Sequence, residues 1–570
     1  MLLKYFSPLV GALATSAVAS PTYTGFTNAT VPEGHLGAVA SESSVCSEIG
    51  IDILKEGGNA ADALVATQFC VGVIGMYHSG IGGGGFMTVR AANGSYEFID
   101  FREMAPAAAF QDMYVNNTAA SLYGGLASGV PGELRGLERL HKNYGSLPWK
   151  HLMQPAIKLA RYGFRVSEDL VKYMGTSTFM VTDSTWAIDF APNGTRLVVN
   201  DTMTRKRYAD TLETIANEGP DAFYTGAIAN ATIQALKSEN GTMALSDLAN
   251  YTAQVRVPSS GSYRGFNIHT GTAPSSGAVV MSVMKVIEGY DMSTPSKINE
   301  STHYLDEAMR FAYGQRTLLG DPAFQSNLTA YQHAMYSDAT AAEIRSMISP
   351  DSTLNASAYD PSNYEILTDS GTSAAVAADK NGLTIAITST INTIFGSRVM
   401  VPETGVIMNN EMNDFSIPGT TNAFGYSPSP ANYIKPFKRP LSSISPTIVE
   451  FANGTVYVAH ASAGGSRIIT EVIQHLWHVL DQNMTSAESL RQPRMHDQLS
   501  PNDVEFEYSS EAYGIEGYSN ETTAYMASLG CKIIFTAVGS TTAQGLRRLP
   551  NGTFEAAGEP RQFNSAGFAI

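Results

Sequence analysis

Apolar runs joined by Asn-Gly constrain this chain more than any other feature. The stretch Leu367–Asn392, LTDSGTSAAVAADKNGLTIAITSTIN, holds two segments rich in Ala, Val, Ile and Thr, separated by Asp379-Lys380-Asn381-Gly382. Asn-Gly between apolar runs signals a hairpin, and a type I′ turn is expected because both residues tolerate positive φ. The same pattern recurs where Phe86–Arg90 and Tyr96–Phe101 flank Ala91-Ala92-Asn93-Gly94, and where Thr447–Phe451 and Val456–His460 flank Asn453-Gly454; a further Asn-Gly stands at 551–552. Such hairpins point to packed antiparallel sheets covered by helices, not to a parallel doubly wound sheet. Thr372 sits at the mouth of the first hairpin, behind the polar run Asp369-Ser370-Gly371. The expectation is that the chain is cut before Thr372 and that this residue is the centre of its chemistry.

The 570 residues exceed one ordinary domain, and 44% hydrophobic with 15% charged residues describes a soluble globular protein. A net charge of −16 argues against nucleic acid as a partner and makes individual arginines conspicuous. Met1–Ser20 has Lys4, an apolar stretch and Ala17-Val18-Ala19, the pattern of a cleaved secretory leader over residues 1–19. Roughly fifteen Asn-x-Ser/Thr sequons, among them Asn28, Asn93, Asn453 and Asn551, support passage through the secretory pathway. An extracellular destination follows, with vacuolar delivery or a retained membrane anchor as alternatives. Of the three cysteines, Cys46 and Cys70 flank two short helical patterns, while Cys531 stands apart. No Cys-x-x-Cys, His-x-x-x-His or other ligand pattern is present, so neither metal nor cofactor is expected.

Along the chain, Ser47–Lys55 and Asn59–Val71 read as helices, the second capped by Asn59 with Asp62 three residues on. The run Gly80–Gly85 precedes a strand and permits close backbone approach; it lacks the Gly-Lys-Ser/Thr ending of a phosphate loop. From about 132 to 346 the pattern is mainly helical, clearest at Trp149–Tyr162, Gly277–Gly289 and Ser301–Leu319, with sequon-rich surface segments between Asn193 and Asn250. Residues 417–440 form a loop long enough to be a lid.

Several residues offer chemistry. Gly464-Gly465 precedes a helix, where unpaired N–H groups and the helix dipole suit a developing oxyanion. His460-Ala461-Ser462-Ala463-Gly464 loosely resembles a nucleophile elbow and makes Ser462 a rival nucleophile, although His460 would crowd the turn. Glu411 and Asp414 suit an ammonium group or acid–base work, or else form a solvated loop face. Arg102 suits a carboxylate or a surface ion pair with Asp100 or Glu103, and Ser442-Ser443 offers hydroxyl donors. His78, His303 and His460 are isolated and read as packing or local hydrogen-bonding residues.

Taken together, Gly80–Phe86, Ile99–Pro106, Gln154–Phe164, Glu307–Phe324, Thr372–Asn392, Asn409–Phe415, Lys438–Thr447 and Ala463–Gly465 resemble the corresponding blocks of the γ-glutamyltransferases (glutathione hydrolases), in order, over nearly all of the mature chain. The resemblance implies an α+β N-terminal-nucleophile hydrolase: a four-layer αββα sandwich with extra helices from a large subunit. It implies self-cleavage between Gly371 and Thr372 into a large subunit, 20–371, and a small catalytic one, 372–570, which stay paired as a heterodimer. Thr372 would be the nucleophile, supported by Thr390, with Gly464 and Gly465 as the oxyanion hole. Arg102, Ser442 and Ser443 would bind the substrate's α-carboxylate; Glu411, Asp414 and Asn392 would bind its α-ammonium. Phe424 falls where bacterial relatives place an aromatic lid gate, and Cys46–Cys70 matches a disulfide of animal relatives. The implied substrates are glutathione, its S-conjugates and other γ-glutamyl compounds, with water, an amino acid or a dipeptide as acceptor. Ser373-Ala374-Ala375 replaces the family's His-containing continuation with smaller residues. A related glutaryl-type acylase and a non-catalytic secreted glycoprotein are the competing readings.

Overall fold

A computed structural model describes residues 34–367, 371–419 and 425–570. The leader, Asp369-Ser370 and Phe424 lie outside the described residues. Two antiparallel sheets form the centre. The first has seven strands in the order Ala566–Ala569, Gly37–Ser41, Ser373–Asp379, Thr384–Thr390, Gly84–Arg90, Tyr96–Asp100 and Gln254–Arg256. The second has six: Phe554–Ala557, Thr542–Arg548, Val456–Ala463, Thr447–Glu450, Phe266–Thr270 and Ser259–Tyr263.

Alternation along the strands builds the layers. Ala374, Val376 and Ala378 face Ile448, Ala459, Ala461 and Leu546 of the other sheet, and these small side chains let the sheets approach closely. Thr388 donates a hydrogen bond across that interface to the Ser462 carbonyl, at 3.0 Å. On the opposite face, Ala375, Ala377, Ile385 and Ile387 pack with helices Ser44–Lys55 and Ala60–Ile74. Helices Gly277–Ile287, Ile298–Arg316 and Arg467–Leu480 cover the second sheet through Val279, Met309 and Ile469. The result is the expected αββα sandwich. Because both faces of its two strands are buried, the Thr372 hairpin reads as continuous apolar sequence.

Local signals hold where the chemistry is specific. Asn59 caps its helix, accepting from the N–H groups of Ala61 and Asp62, while Asp62 accepts from Asn59 N. Cys46 and Cys70 are bridged, closing a sequence separation of 24 residues. Replacing both by Ala is expected to lower unfolding stability by about 2–4 kcal/mol, measured by denaturant titration against the parent chain. Cys531 is a buried free thiol.

Three expectations need correction. The Asn-Gly turns are not type I′. At Asp379, Gly382 N donates to Asp379 O (2.9 Å) and Asp379 N to Leu383 O (3.0 Å); only Gly382 has positive φ, at 89°. This is a type I turn closed by a glycine bulge, which needs one left-handed residue instead of two. The turns at Ala91, Phe451 and Leu549 share it. Second, strands Gln254–Arg256, Ser259–Tyr263 and Phe266–Thr270 interrupt the region read as helical. Gln254–Arg256 and Ser259–Tyr263 are polar edge strands, and Phe266–Thr270, paired on both sides, is short; weak apolar alternation hides all three. Third, the sequon-rich segment contains helices Lys206–Glu218 and Gly226–Ser238, each with one buried face.

Candidate active site

Thr372 precedes a strand paired on both sides, by Gly37–Ser41 and Thr384–Thr390, so its position is fixed by the centre of the first sheet. It is 6% exposed. The Gly371–Thr372 peptide bond is intact, so the Thr372 nitrogen is an amide here. Gly371 has φ of 118°, and a Cβ there would lie 2.4 Å from Asn392 O; no other residue fits. The Gly371 carbonyl oxygen accepts from Thr390 Oγ1 at 2.7 Å, and Thr390 Oγ1 in turn accepts from Asn392 N at 2.7 Å. The carbonyl that Thr372 would attack is thereby held and polarised.

A cavity of 260 Å³ opens beside Thr372, lined also by Gly464, Ala463, Arg467, His78 and Tyr173. Gly464 (φ 124°) and Gly465 (φ 62°) turn the chain from strand Val456–Ala463 into helix Arg467–Leu480. A Cβ on Gly464 would come within 2.5 Å of Ser540 O. The turn therefore brings backbone and the positive end of a helix dipole to the cavity that Thr372 lines. Larger clefts, of 470 and 630 Å³, lie elsewhere and contain neither Thr372 nor Gly464.

Glu411 and Asp414 occupy the ends of one 3₁₀ turn, whose period of three aligns them. Both are buried and ion-paired to Arg102, Glu411 through Nη1 and Asp414 through Nη2, so the solvated-face reading is wrong. Arg102 is itself 1% exposed, and is no surface pair. Burial works against its charge, but Glu411 and Asp414 hold its pKa above the ordinary arginine value. Neighbouring Glu103 is pushed up to about 8 by burial, against the pull of Arg102. Arg102 Nε and Nη2 lie 3.4 Å from the carbonyls of Pro440 and Leu441, which brings the following Ser442 and Ser443 alongside. Asn392, at φ 71°, donates from Nδ2 to Asn410 O at 3.0 Å. A continuous path thus runs from the Gly371 carbonyl through Thr390, Asn392 and Asn410 to Glu411.

Sequence reasoning missed four supports. Arg316, closing a long helix, donates to Ser443 Oγ at 3.0 Å and to Ser276 Oγ at 3.0 Å. Asp100 gathers the Arg102 amide (3.1 Å), Arg256 (2.8 Å) and Arg439 (3.5 Å). Glu103 and the pair His78–Glu42, 2.7 Å apart, complete the list; His78 reaches the Thr372 cavity although it read as a packing residue. Asp100 and Glu103 stand beside Arg102 in sequence and read there only as its surface partners, whereas Arg316 and His78 meet Ser443 and Glu42 through tertiary packing. The glycine run approaches backbone, not phosphate: Cβ atoms on Gly82 and Gly83 would lie 2.0 Å from the carbonyl oxygens of Ile407 and Thr390.

Ser462 is not on an elbow. It lies within its strand, fully buried, and donates to Thr542 O at 3.1 Å. His303 is buried and its Nε2 lies 2.8 Å from the Ser349 carbonyl, 46 positions on, so its hydrogen bond is tertiary and not local. Among the described residues, His460, Glu471 and His475 bring ligand-type atoms together, a grouping that sequence spacing did not show. Arg494, 3.4 Å from Glu471, already supplies positive charge there, which disfavours a second cation.

An antiparallel αββα sandwich with a hydroxyl residue at the start of a central strand, facing a glycine turn at a helix N-terminus, defines an N-terminal-nucleophile hydrolase. Cephalosporin acylase from Bacillus halodurans has this fold, with a TM-score of 0.82 and 24% identity, over 97% of this chain and 99% of that one. The family model for gamma-glutamyltranspeptidase matches residues 46–569, and the chain belongs to that family. It is 52% identical to the glutathione hydrolase proenzyme of Arthroderma benhamiae, over 94% of this chain and 93% of that protein. It is 46% identical to a glutathione hydrolase of Aspergillus flavus, over 93% and 89% respectively. The gamma-glutamyltranspeptidase of Helicobacter pylori aligns with 58% of this chain and 96% of its own, at 33% identity and a TM-score of 0.53.

Proposed function

We propose that this chain is a glutathione hydrolase and γ-glutamyltransferase that activates itself by cutting Gly371–Thr372. The observation that carries the reading is the run of hydrogen bonds from the Gly371 carbonyl through Thr390 and Asn392 to Asn410, the residue before Glu411, which ties Thr372 to the Arg102–Glu411–Asp414 cluster. In self-cleavage Thr372 Oγ attacks the Gly371 carbonyl carbon, the acyl group passes from nitrogen to oxygen, and water hydrolyses the ester. Thr390 donates to the oxygen that gains charge. Replacing Thr390 by Val is expected to slow cleavage roughly 10²-fold, the effect of removing one oxyanion donor. The rate of loss of uncut chain on a denaturing gel measures it.

Cleavage frees an α-amine beside Thr372 Oγ. With an ordinary pKa of about 7.7–8.0, it accepts a proton far more readily than the hydroxyl releases one unaided. Thr372 then attacks the γ-glutamyl carbonyl, Gly464 and Gly465 N–H groups stabilise the oxyanion, and cysteinylglycine leaves. Water, an amino acid or a dipeptide resolves the γ-glutamyl ester. No step calls for a cofactor.

The buried ion pairs explain substrate choice. A zwitterionic head group exchanges with them: its carboxylate takes Arg102, aided by Ser442 and Ser443, while its ammonium takes Glu411, Asp414 and Asn392. Each buried charge keeps a partner throughout, which avoids the penalty of stranding one. A glutaryl group has no ammonium to offer and would leave both carboxylates short of a partner. Kinetics on γ-glutamyl and glutaryl anilides test this; preference for glutaryl would overturn the reading. The cut halves stay together as a heterodimer, since strands from both, Gly37–Ser41 and Ser373–Asp379, pair in one sheet. The leader and sequons support export from the cytoplasm.

A further inference from the structure

The turns at Ala91, Phe451 and Leu549 are one device used three times. In each, the first residue's N–H donates to the fifth residue's carbonyl (2.8, 2.9 and 2.8 Å), and the glycine has positive φ (85°, 80° and 87°). Each is also a sequon, with an exposed asparagine whose Oδ1 accepts from the N–H two residues on, at 3.0 Å. That bond turns the asparagine oxygen inward and leaves Nδ2 facing away from the turn. The turns differ in their first residue, Ala91, Phe451 or Leu549. Only Phe451 is aromatic.

We infer that Asn453 carries an N-linked glycan whose first N-acetylglucosamine packs on the Phe451 ring and stabilises the folded chain. Phe451, Asn453 and Thr455 line a 630 Å³ cleft together with Phe266, Leu549 and Pro550. The Phe451 ring is already placed, 4.5 Å from Tyr457 and 5.9 Å from Phe266. A pyranose ring presents an apolar C–H face that fits an aromatic face, and a pre-positioned partner loses little entropy on contact. The sugar would also cover apolar surface otherwise left to water. The host's transfer reaction joins Nδ2 to the anomeric carbon of a lipid-pyrophosphate-linked oligosaccharide, releasing the lipid pyrophosphate and one proton. The inference rests on passage through the secretory pathway and is independent of the γ-glutamyl reading.

The test uses the full chain secreted from a eukaryotic host, with glycopeptide mass spectrometry and thermal unfolding. Asn453 is expected to be occupied, and Asn453→Gln to lower Tm by about 2 °C, while Asn93→Gln and Asn551→Gln leave it unchanged. In a Phe451→Leu background the Asn453→Gln effect is expected to vanish, with γ-glutamyl hydrolysis retained throughout. An unmodified Asn453, an equal loss at all three turns, or a loss that persists without Phe451 would each overturn the inference.

Discussion

Thr372→Ala is expected to leave one uncut chain that folds but does not hydrolyse γ-glutamyl amides, with activity reduced by at least about 10⁴-fold. The substitution removes the hydroxyl and one methyl from a 6% exposed residue that immediately precedes a strand paired on both sides. Its effect on stability is therefore expected to be small beside its effect on chemistry. Both readouts fail together because the same hydroxyl serves self-cleavage and turnover. Thr372→Ser keeps the hydroxyl and is expected to cut and to retain measurable activity. Ser462→Ala, in contrast, is expected to cut normally, since that hydroxyl is spent on Thr542 O inside a strand.

Arg102→Gln is expected to be the most damaging change that leaves the nucleophile untouched. It takes from Glu411 and Asp414 the guanidinium they share in a buried site and puts a neutral amide in its place. Removing one partner of a buried ion pair costs about 3–5 kcal/mol, partly relieved by protonation of the carboxylates. The variant is expected to unfold at lower temperature and to lose about 10²–10³-fold in kcat/KM, chiefly through KM, because the substrate carboxylate loses its cation. Arg102→Lys is not expected to rescue it. One ammonium cannot engage Glu411 through one nitrogen and Asp414 through another in a fixed fork. Steady-state kinetics on a γ-glutamyl anilide, with thermal unfolding alongside, separate the two losses.

The parts legible in the sequence are those where local chemistry and tertiary role agree. Asn59 with Asp62 is a capping box in sequence and in space. The Thr372 hairpin needs both faces apolar, and its alanines and isoleucines say so before any sheet is seen. Glu411 and Asp414 stood out in sequence as two close carboxylates, and one 3₁₀ turn aligns them, but their shared partner Arg102 lies 309 and 312 positions away. What stayed hidden depends on partners far along the chain. Arg316 reaches Ser443 across 127 positions, and nothing near it marks that contact. His78 looked like packing because its value lies in facing the Thr372 cavity beside Glu42. The turn type was misread for another reason: Asn-Gly suits both geometries, and Asn381 keeps an ordinary negative φ where a type I′ turn would have required a positive one. The strands between 254 and 270 were lost because polar residues such as Ser259 and Ser262 blunt the alternation.

The central claim is that Gly371–Thr372 is a bond made to be cut by its own second residue. Arg102, Glu411 and Gly464 have their proposed roles only if a free Thr372 stands among them. Sequencing the N-terminus of the smaller fragment from purified protein tests this directly. A sequence beginning Thr372-Ser373-Ala374-Ala375-Val376 is the predicted result; a fragment starting elsewhere, or an active chain that is never cut, would contradict it.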